Sequence, residues 1–392
     1  MKILFITTLY EPYIGGGAEI SNKILAEGLI KKKINIEVIT SGKEEKIEEI
    51  SGVKIRRIFF NKILKKYLNI IEKKGKISLL NKIEILVYRF TLYFNIFHKE
   101  KIEKLILEIK PDVLHTSGIH LFFPQLWWKI AKKHNIKVIH TLRDPLFLYF
   151  RGKNTGKFYF ILDKFQRKYY NFYLNKYVNV VHSPSKFMIE KHIKNGVNIK
   201  SGEVIYNTIK DEVKKDIFFN IKEIEILYVG SLDYNKGIKT LIELKKNNPS
   251  LKIVCVGDGR LKEECIRNSI VVTGWIKKKE VYSYIKNSKI LVLPSEWEEA
   301  FGRVLIEGVI NGTLVIGSDQ GAIPEVLGYK NEYIFKAKNI PEFNKKIKRI
   351  LNLTSEEYEA ELKDMQNYME KYNYENHIKS FIKLYKNLIK EE

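Results

Sequence analysis

The sequence predicts an α/β protein built from two doubly wound parallel-sheet domains. Short β-branched runs alternate with helix-period stretches along the whole chain, the pattern of parallel strands joined by crossover helices. The length, 392 residues, suits two domains better than one. The residues with chemical character follow the strands directly, where open α/β sheets bind their ligands.

In the first half, strands are expected at Lys2–Thr7, Ile36–Thr40, Val53–Phe60, Asp112–Thr116, Lys137–Leu142, Asn179–Ser183 and Glu203–Tyr206. In the second half they are expected at Glu225–Val229, Lys252–Gly257, Ile270–Gly274, Ile290–Leu293 and Thr313–Gly317. The polar stretch Asn207–Asn220 separates the two runs. It predicts an N-terminal domain over 1–207 and a C-terminal domain over 208–374, with 375–392 left as a terminal helix.

Composition excludes several classes. Apolar residues make up 45%, enough for ordinary cores. Two cysteines, Cys255 and Cys265, argue against a disulfide scaffold and for a reducing compartment. The start reads as a strand rather than a secretory leader, and Ile83–Phe97 is too short and too charged to span a bilayer. A cytoplasmic protein, free or peripheral on a membrane, is expected. The net charge is 69 − 46 = +23, and residues 1–207 carry 38 basic against 18 acidic residues, or +20 of it. A lysine-rich composition would touch both halves equally. A basic face for an anionic membrane or nucleic acid is the alternative.

After the first strand comes Tyr10-Glu11-Pro12-Tyr13-Ile14-Gly15-Gly16-Gly17-Ala18-Glu19. Its glycines allow a ligand to approach backbone N–H groups at a helix start, though a Gly run is also an ordinary loop. His115 and His120 follow a later strand and His140 ends the next; their spacing does not make a metal site. Aromatic residues interleaved with Lys and Arg from Phe147 to Tyr177 suit either a binding face or the inner side of an amphipathic helix.

In the second half, Gly230-Ser231-Leu232-Asp233-Tyr234-Asn235-Lys236-Gly237 offers Lys236 as a phosphate counter-charge or a solvated turn residue. Gly257-Asp258-Gly259, Gly274-Trp275 and Gly321-Ala322-Ile323-Pro324-Glu325 each follow a strand. The richest segment runs from Pro294 to Glu307. Glu299 and Glu307 lie eight residues apart across a loop–helix junction, a spacing that returns to nearly one helix face after a rise of about 12 Å. Between them the N–H groups of Phe301, Gly302 and Arg303 are expected to open a helix and favour an anion. A phosphate flanked by two polyhydroxylated groups, as in a sugar nucleotide, fits that arrangement.

These segments, in this order, resemble the retaining glycosyltransferases of the GT-B fold, family 4. The resemblance covers most of the chain and is densest from Tyr228 to Leu327. It rests on Glu-x7-Glu at Glu299 and Glu307, the Gly-Ser-Leu-x3-Lys-Gly turn, Val-Gly-Asp-Gly, Thr-Gly-Trp and Gly-Ala-Ile-Pro-Glu. It implies two Rossmann-like domains facing a deep cleft, the N-terminal one holding the acceptor and the C-terminal one the nucleotide-sugar donor. The last helix would return to the N-terminal domain.

By the same resemblance, Glu307 would bind the ribose and Glu299 the transferred sugar. The donor diphosphate would rest on Phe301, Gly302, Arg303 and Lys236. Gly15, Gly16, Gly17, Ser231, Gly257 and Gly259 would complete the donor site. Arg143 would act near the reacting carbon, and His115, His120 and Asp144 would contribute to the acceptor side. No cofactor or metal is implied; the donor would be UDP- or GDP-linked. Ser231 stands where the family often has Arg, Arg143 where many members have His, and Asn207 alone survives of a Pro-Asn-Gly-x-Asp loop.

The expected activity is therefore retaining transfer of a sugar to a glycan or lipid-linked acceptor in cell-surface polysaccharide synthesis. The place would be the inner membrane face, reached through Arg56, Arg57, Lys62, Lys65, Lys66, Lys73, Lys74 and Lys76. A sugar-nucleotide epimerase or phosphorylase of the same fold stays open. So does a basic nucleic-acid-binding protein, although no nucleic-acid recognition motif accompanies the charge.

Overall fold

The computed structural model describes residues 1–14, 16–59, 62–72, 84, 99–119, 125–149, 160–210 and 222–390. They form two compact units, one of residues 1–206 with 375–392 and one of residues 207–374.

The first unit contains β1 (Lys2–Thr7), β2 (Asn35–Ser41), β3 (Lys46–Ile50), β4 (Val53–Ile58), β5 (Val113–Ser117), β6 (Lys137–Thr141), β7 (Val180–Ser183) and β8 (Gly202–Val204). Their order across the sheet is β3-β4-β2-β1-β5-β6-β7-β8, and β3–β4 is the antiparallel pair. The strands nearest the centre are buried along almost their whole length, as both faces of a parallel sheet require. Winding reverses between β1 and β5, the place where such sheets bind ligands.

Helix α1 (Gly17–Lys31) follows β1, and α2 (Phe160–Tyr177) precedes β7. The aromatic stretch that contains α2 divides by face. Tyr170 and Leu174 join the core with Trp127, Trp128 and Phe147, and the Phe147 and Tyr170 rings stack at 4.4 Å. Phe172 and Ile161 face outward. The C-terminal helix, Tyr374–Lys390, belongs to this unit and buries His377, Ile378, Phe381, Tyr385 and Leu388. That i, i+3/i+4 spacing is one apolar stripe.

Strand β3 was not anticipated. Its sequence is mostly charged, and only pairing with β4 at the sheet edge makes it a strand. Strand β4 also corrects the expectation for two residues of the basic segment; Lys62, Lys65 and Lys66 of that segment are exposed. Arg56 on β4 is bonded to Glu37 and reaches Glu108 at 2.7 Å; Arg57 is bonded to Glu48 and to the Glu11 carbonyl. These arginines stitch the sheet and are not a free basic face. Lys73, Lys74 and Lys76 lie outside the described residues.

The second unit contains β9 (Ile224–Val229), β10 (Ile253–Val256), β11 (Val271–Gly274), β12 (Ser288–Leu293), β13 (Leu314–Ser318) and β14 (Ile334–Phe335). The order is β11-β10-β9-β12-β13-β14, all parallel. This is the doubly wound order with its switch point between β9 and β12. Helix α3 (Arg303–Ile310) follows β12. Gly308 lets α3 lie close on the sheet: a Cβ there would come within 2.6 Å of the Val315 side chain. β14, two residues long, carries no periodic signal.

Candidate active site

In the second unit, four loops meet at the carboxyl ends of β9, β10, β12 and β13. Backbone contacts hold them together. The Asn235 carbonyl accepts the N–H groups of both Glu296 and Trp297, each at 3.0 Å. Leu232 and Asp258 join the β9 and β10 loops through Leu232 N–H to Asp258 carbonyl at 2.9 Å. The Ala322 N–H donates to the Glu299 carbonyl at 2.8 Å, and Glu299 bridges Gly321 in parallel fashion. The Ser318 hydroxyl donates to the Ser295 carbonyl at 2.7 Å.

Glycine is required where these loops touch. At Gly237, φ is +73° and a Cβ would lie 1.7 Å from the Pro294 carbonyl oxygen. Gly274 has the same φ, +73°, with nothing within 4 Å of its would-be Cβ. Gly274→Ala is therefore expected to cost the left-handed strain alone, about 1–2 kcal/mol. Gly237→Ala should cost that plus displacement of the Pro294–Glu299 loop, in all more than about 3 kcal/mol. Urea melts of the two variants check this; equal losses would refute the loop contact.

Two ion pairs hold the predicted carboxylates. Lys236 Nζ lies 2.6 Å from Glu299 Oε1, to which the Ser295 hydroxyl also donates at 2.6 Å. Arg303 donates to Glu307 Oε1 from Nε at 3.0 Å and from Nη2 at 2.7 Å. Both pairs are largely buried. The helix geometry differs from expectation. α3 begins at Arg303, with Gly302 as its N-cap at φ +81°. Glu299 lies in the loop before the helix, as expected, and the bridge to Gly321 positions it. The first-turn N–H groups are those of Arg303, Val304 and Leu305, of which Leu305 is tied back to Gly302 at 3.0 Å. Phe301 precedes the cap, and its buried ring meets Tyr372 edge-on at 5.5 Å.

The remaining residues of the predicted set have defined places. Ser231 accepts at its carbonyl from the Tyr228 hydroxyl at 2.8 Å. A Cβ at Gly257 would lie 1.9 Å from the Gly230 oxygen, and one at Gly259 would lie 2.5 Å from the Leu232 oxygen. The roles of Ser295 and Asn235 are not legible in the sequence. Both lie in the quoted motifs, but nothing local shows which backbone or carboxylate they meet.

The first unit has a second polar cluster. Arg143, just after β6, donates to Asn22 Oδ1 at 2.8 Å and to Ser117 Oγ at 3.0 Å. Ser117 Oγ donates to Asn22 Oδ1 at 2.9 Å, and Asn22 Nδ2 to Thr7 Oγ1 at 3.0 Å. One guanidinium is thereby fixed across the ends of β1, β5 and β6. Burial lowers its pKa to about 10, while Glu19 and Asp144 pull the other way, so it stays charged at neutral pH. Burial pushes the Glu19 carboxyl up, opposed by backbone N–H groups at the start of α1 and by Arg143. Glu19 and Asn22 were not singled out from the sequence. Gly16 is the extended N-cap of α1 and Gly17 its first residue. Gly15 and His120 lie outside the described residues.

His115 is not at a surface. Its fully buried ring contacts Tyr385 OH through Nδ1 at 2.7 Å and Thr141 Oγ1 through Nε2 at 2.6 Å. It belongs to the core beneath the C-terminal helix, which corrects its placement among acceptor residues.

The second unit thus carries a loop-built polar cluster at the switch point of a doubly wound sheet, and the first unit is doubly wound as well. Residues 15–213 match the family model of Glycosyltransferase Family 4, and residues 209–376 that of glycosyl transferases group 1. An uncharacterized 42.6 kDa protein in the cps region of Klebsiella pneumoniae is 31% identical over 344 residues, 83% of this chain and 87% of that one. An uncharacterized glycosyltransferase of Methanocaldococcus jannaschii is 26% identical over 364 residues, 84% and 83% of the two chains. Sucrose-phosphate synthase from Thermosynechococcus elongatus has the same fold, with a TM-score of 0.75 at 16% identity over 100% of both chains. Anabaena HepE in complex with UDP follows at 0.69 and 14%, covering 99% of this chain and 100% of that one. The chain belongs to the family 4 glycosyltransferases of the GT-B fold.

Proposed function

We propose that this enzyme is a retaining, metal-independent glycosyltransferase. It moves a sugar from a UDP- or GDP-linked donor to a glycan or lipid-linked acceptor in cell-surface polysaccharide synthesis, working peripherally at the inner face of the membrane. One observation carries the donor assignment: Glu299 with Lys236, and Glu307 with Arg303, flank the start of α3 beside the β9/β12 switch point. Bound there, a diphosphate takes the charge of Lys236 and the N–H groups of Arg303 and Val304, which stabilise the negative charge that develops as the sugar departs. Glu299 then turns to sugar hydroxyls and Glu307 to the ribose. Arg143 acts from the first unit on the reacting sugar or the acceptor.

The polysaccharide reading is supported by the Klebsiella relative from a cps region. The choice of donor is supported by HepE, solved with UDP and with UDP-glucose. Among the described residues no helix is long and apolar enough to cross a membrane.

Isothermal titration against UDP-, GDP- and ADP-sugars tests the reading. One nucleotide class is expected to bind. Glu307→Ala should weaken that binding about tenfold to a hundredfold, the loss of one or two charge-assisted hydrogen bonds, with the acceptor KM unchanged. Failure of every nucleotide sugar to bind overturns the proposal.

A further inference from the structure

The outward face of α2 departs from what a surface helix normally shows. Its inner face is accounted for: Asp163, Gln166, Tyr170 and Leu174 are buried. The outer face carries Ile161, Lys164, Phe165, Lys168, Phe172 and Lys176. Ile161 is 77% exposed, Phe165 43% and Phe172 54%. Positions 161, 165, 168, 172 and 176 step by four, three, four and four residues, so they hold one stripe of the helix about 22 Å long. Polar residues are the rule on such a stripe; here apolar side chains alternate with lysines. The only acid of α2, Asp163, is on the buried side.

Beside the stripe, Tyr169, Tyr173 and Tyr177 form a partly buried ladder, with ring centroids 4.6 Å and then 5.3 Å apart. The Lys176 ammonium sits over the Phe172 ring at 5.2 Å and the Tyr177 ring at 5.7 Å. Apolar anchors, flanking tyrosines and lysine point charges are the parts of an interfacial helix lying flat on anionic lipid.

We propose that the outer stripe of α2 is a docking face for an anionic lipid bilayer. Ile161, Phe165 and Phe172 enter the headgroup–acyl boundary, and Lys164, Lys168 and Lys176 meet lipid phosphates. A nucleic acid would leave the aliphatic Ile161 without a stacking role. The assignment moves the membrane contact away from Arg56 and Arg57, whose charges are engaged with carboxylates. It deepens the membrane-face part of the proposed function and is independent of donor chemistry.

Co-sedimentation of the full chain with vesicles tests it. Binding is expected to phosphatidylglycerol-containing vesicles and to be far weaker to phosphatidylcholine alone. Phe165→Ser with Phe172→Ser should lower binding about tenfold or more, with an unchanged far-UV helix signal, because neither side chain belongs to the core cluster. Lys164→Gln, Lys168→Gln and Lys176→Gln together should remove the preference for anionic vesicles. Equal binding of the wild type to both vesicle types, or wild-type binding by the phenylalanine variant, overturns the proposal. So does loss of vesicle binding to competing RNA that the chain holds through the same side chains. Donor titration of the same samples separates the two readings: a chain that binds vesicles but no nucleotide sugar refutes the proposed function and leaves the docking face standing.

Discussion

Glu299→Ala is expected to lower turnover about a thousandfold, roughly 4 kcal/mol of transition-state stabilisation, while the protein stays folded. The side chain anchors Lys236 and Ser295, each at 2.6 Å, so its loss releases the ammonium placed to meet the diphosphate and removes the carboxylate assigned to the sugar. The fold should survive because the main chain of Glu299, not its side chain, makes the bridge to Gly321 and accepts the Ala322 N–H. Glu299→Gln keeps an acceptor for Ser295 but loses the charge that holds Lys236. Its turnover should fall almost as far if charge is what matters. Single-turnover release of nucleoside diphosphate, alongside a thermal melt, measures both variants. Wild-type turnover in Glu299→Ala would remove this residue from the chemistry.

Mild acid should destabilise the first unit strongly, through histidines buried as neutral rings. His182 Nε2 lies 3.0 Å from the Ile205 carbonyl and must donate to it. That fixes a chain of donors. His182 Nδ1 accepts from the Thr141 hydroxyl at 2.9 Å, Thr141 accepts from His115 Nε2, and His115 Nδ1 accepts from the Tyr385 hydroxyl. Each link needs a neutral imidazole. Burial, reinforced by His182 and Arg143 for His115 and by Arg143 for His182, holds both well below the ordinary value. His377, which donates to the Tyr206 carbonyl at 2.6 Å, and His192 are lowered to about 4 by burial.

A histidine depressed from about 6.5 binds its proton in the unfolded chain first. Its contribution is complete above pH ~6.5 and is lost as pH falls toward about 4. Each of His377 and His192 should take up to about 1.4 kcal/mol per pH unit from stability across that window. Urea titrations at stepped pH measure the slope. Hydrogen exchange should show the C-terminal helix, which supplies His377 and Tyr385, loosening early. Tyr385→Phe leaves His115 Nδ1 without its donor and should cost about 1–3 kcal/mol already at neutral pH. A flat pH profile between 4 and 6.5 would show that these rings are not buried neutral.

Most strands were legible because each is a β-branched run bounded by turn residues. Ile224-Glu225-Ile226-Leu227-Tyr228-Val229 needs little else to declare itself. Lys46–Ile50 was not legible, since three of its five residues are charged and its partner across the hairpin decides its conformation. In the candidate site, Gly237, Lys236, Gly302 and the two glutamates stood out because they sit at fixed offsets from strand ends. Arg303 and Glu307 are one helical turn apart, so their pair could be read from spacing. Lys236 and Glu299 are 63 residues apart, and His115 and Tyr385 are 270 apart. No local pattern announces either pair.

By itself, then, the sequence determined the parallel-sheet architecture and the loops that carry the chemistry. These depend on side-chain period and backbone freedom within a few residues. The tertiary structure alone decided which charges meet. Sheet order places β9 against β12, and so Lys236 against Glu299, and it brings the C-terminal helix over His115. Those partners are set by how distant strands and helices stack, and the energy of each contact depends on the burial that stacking creates.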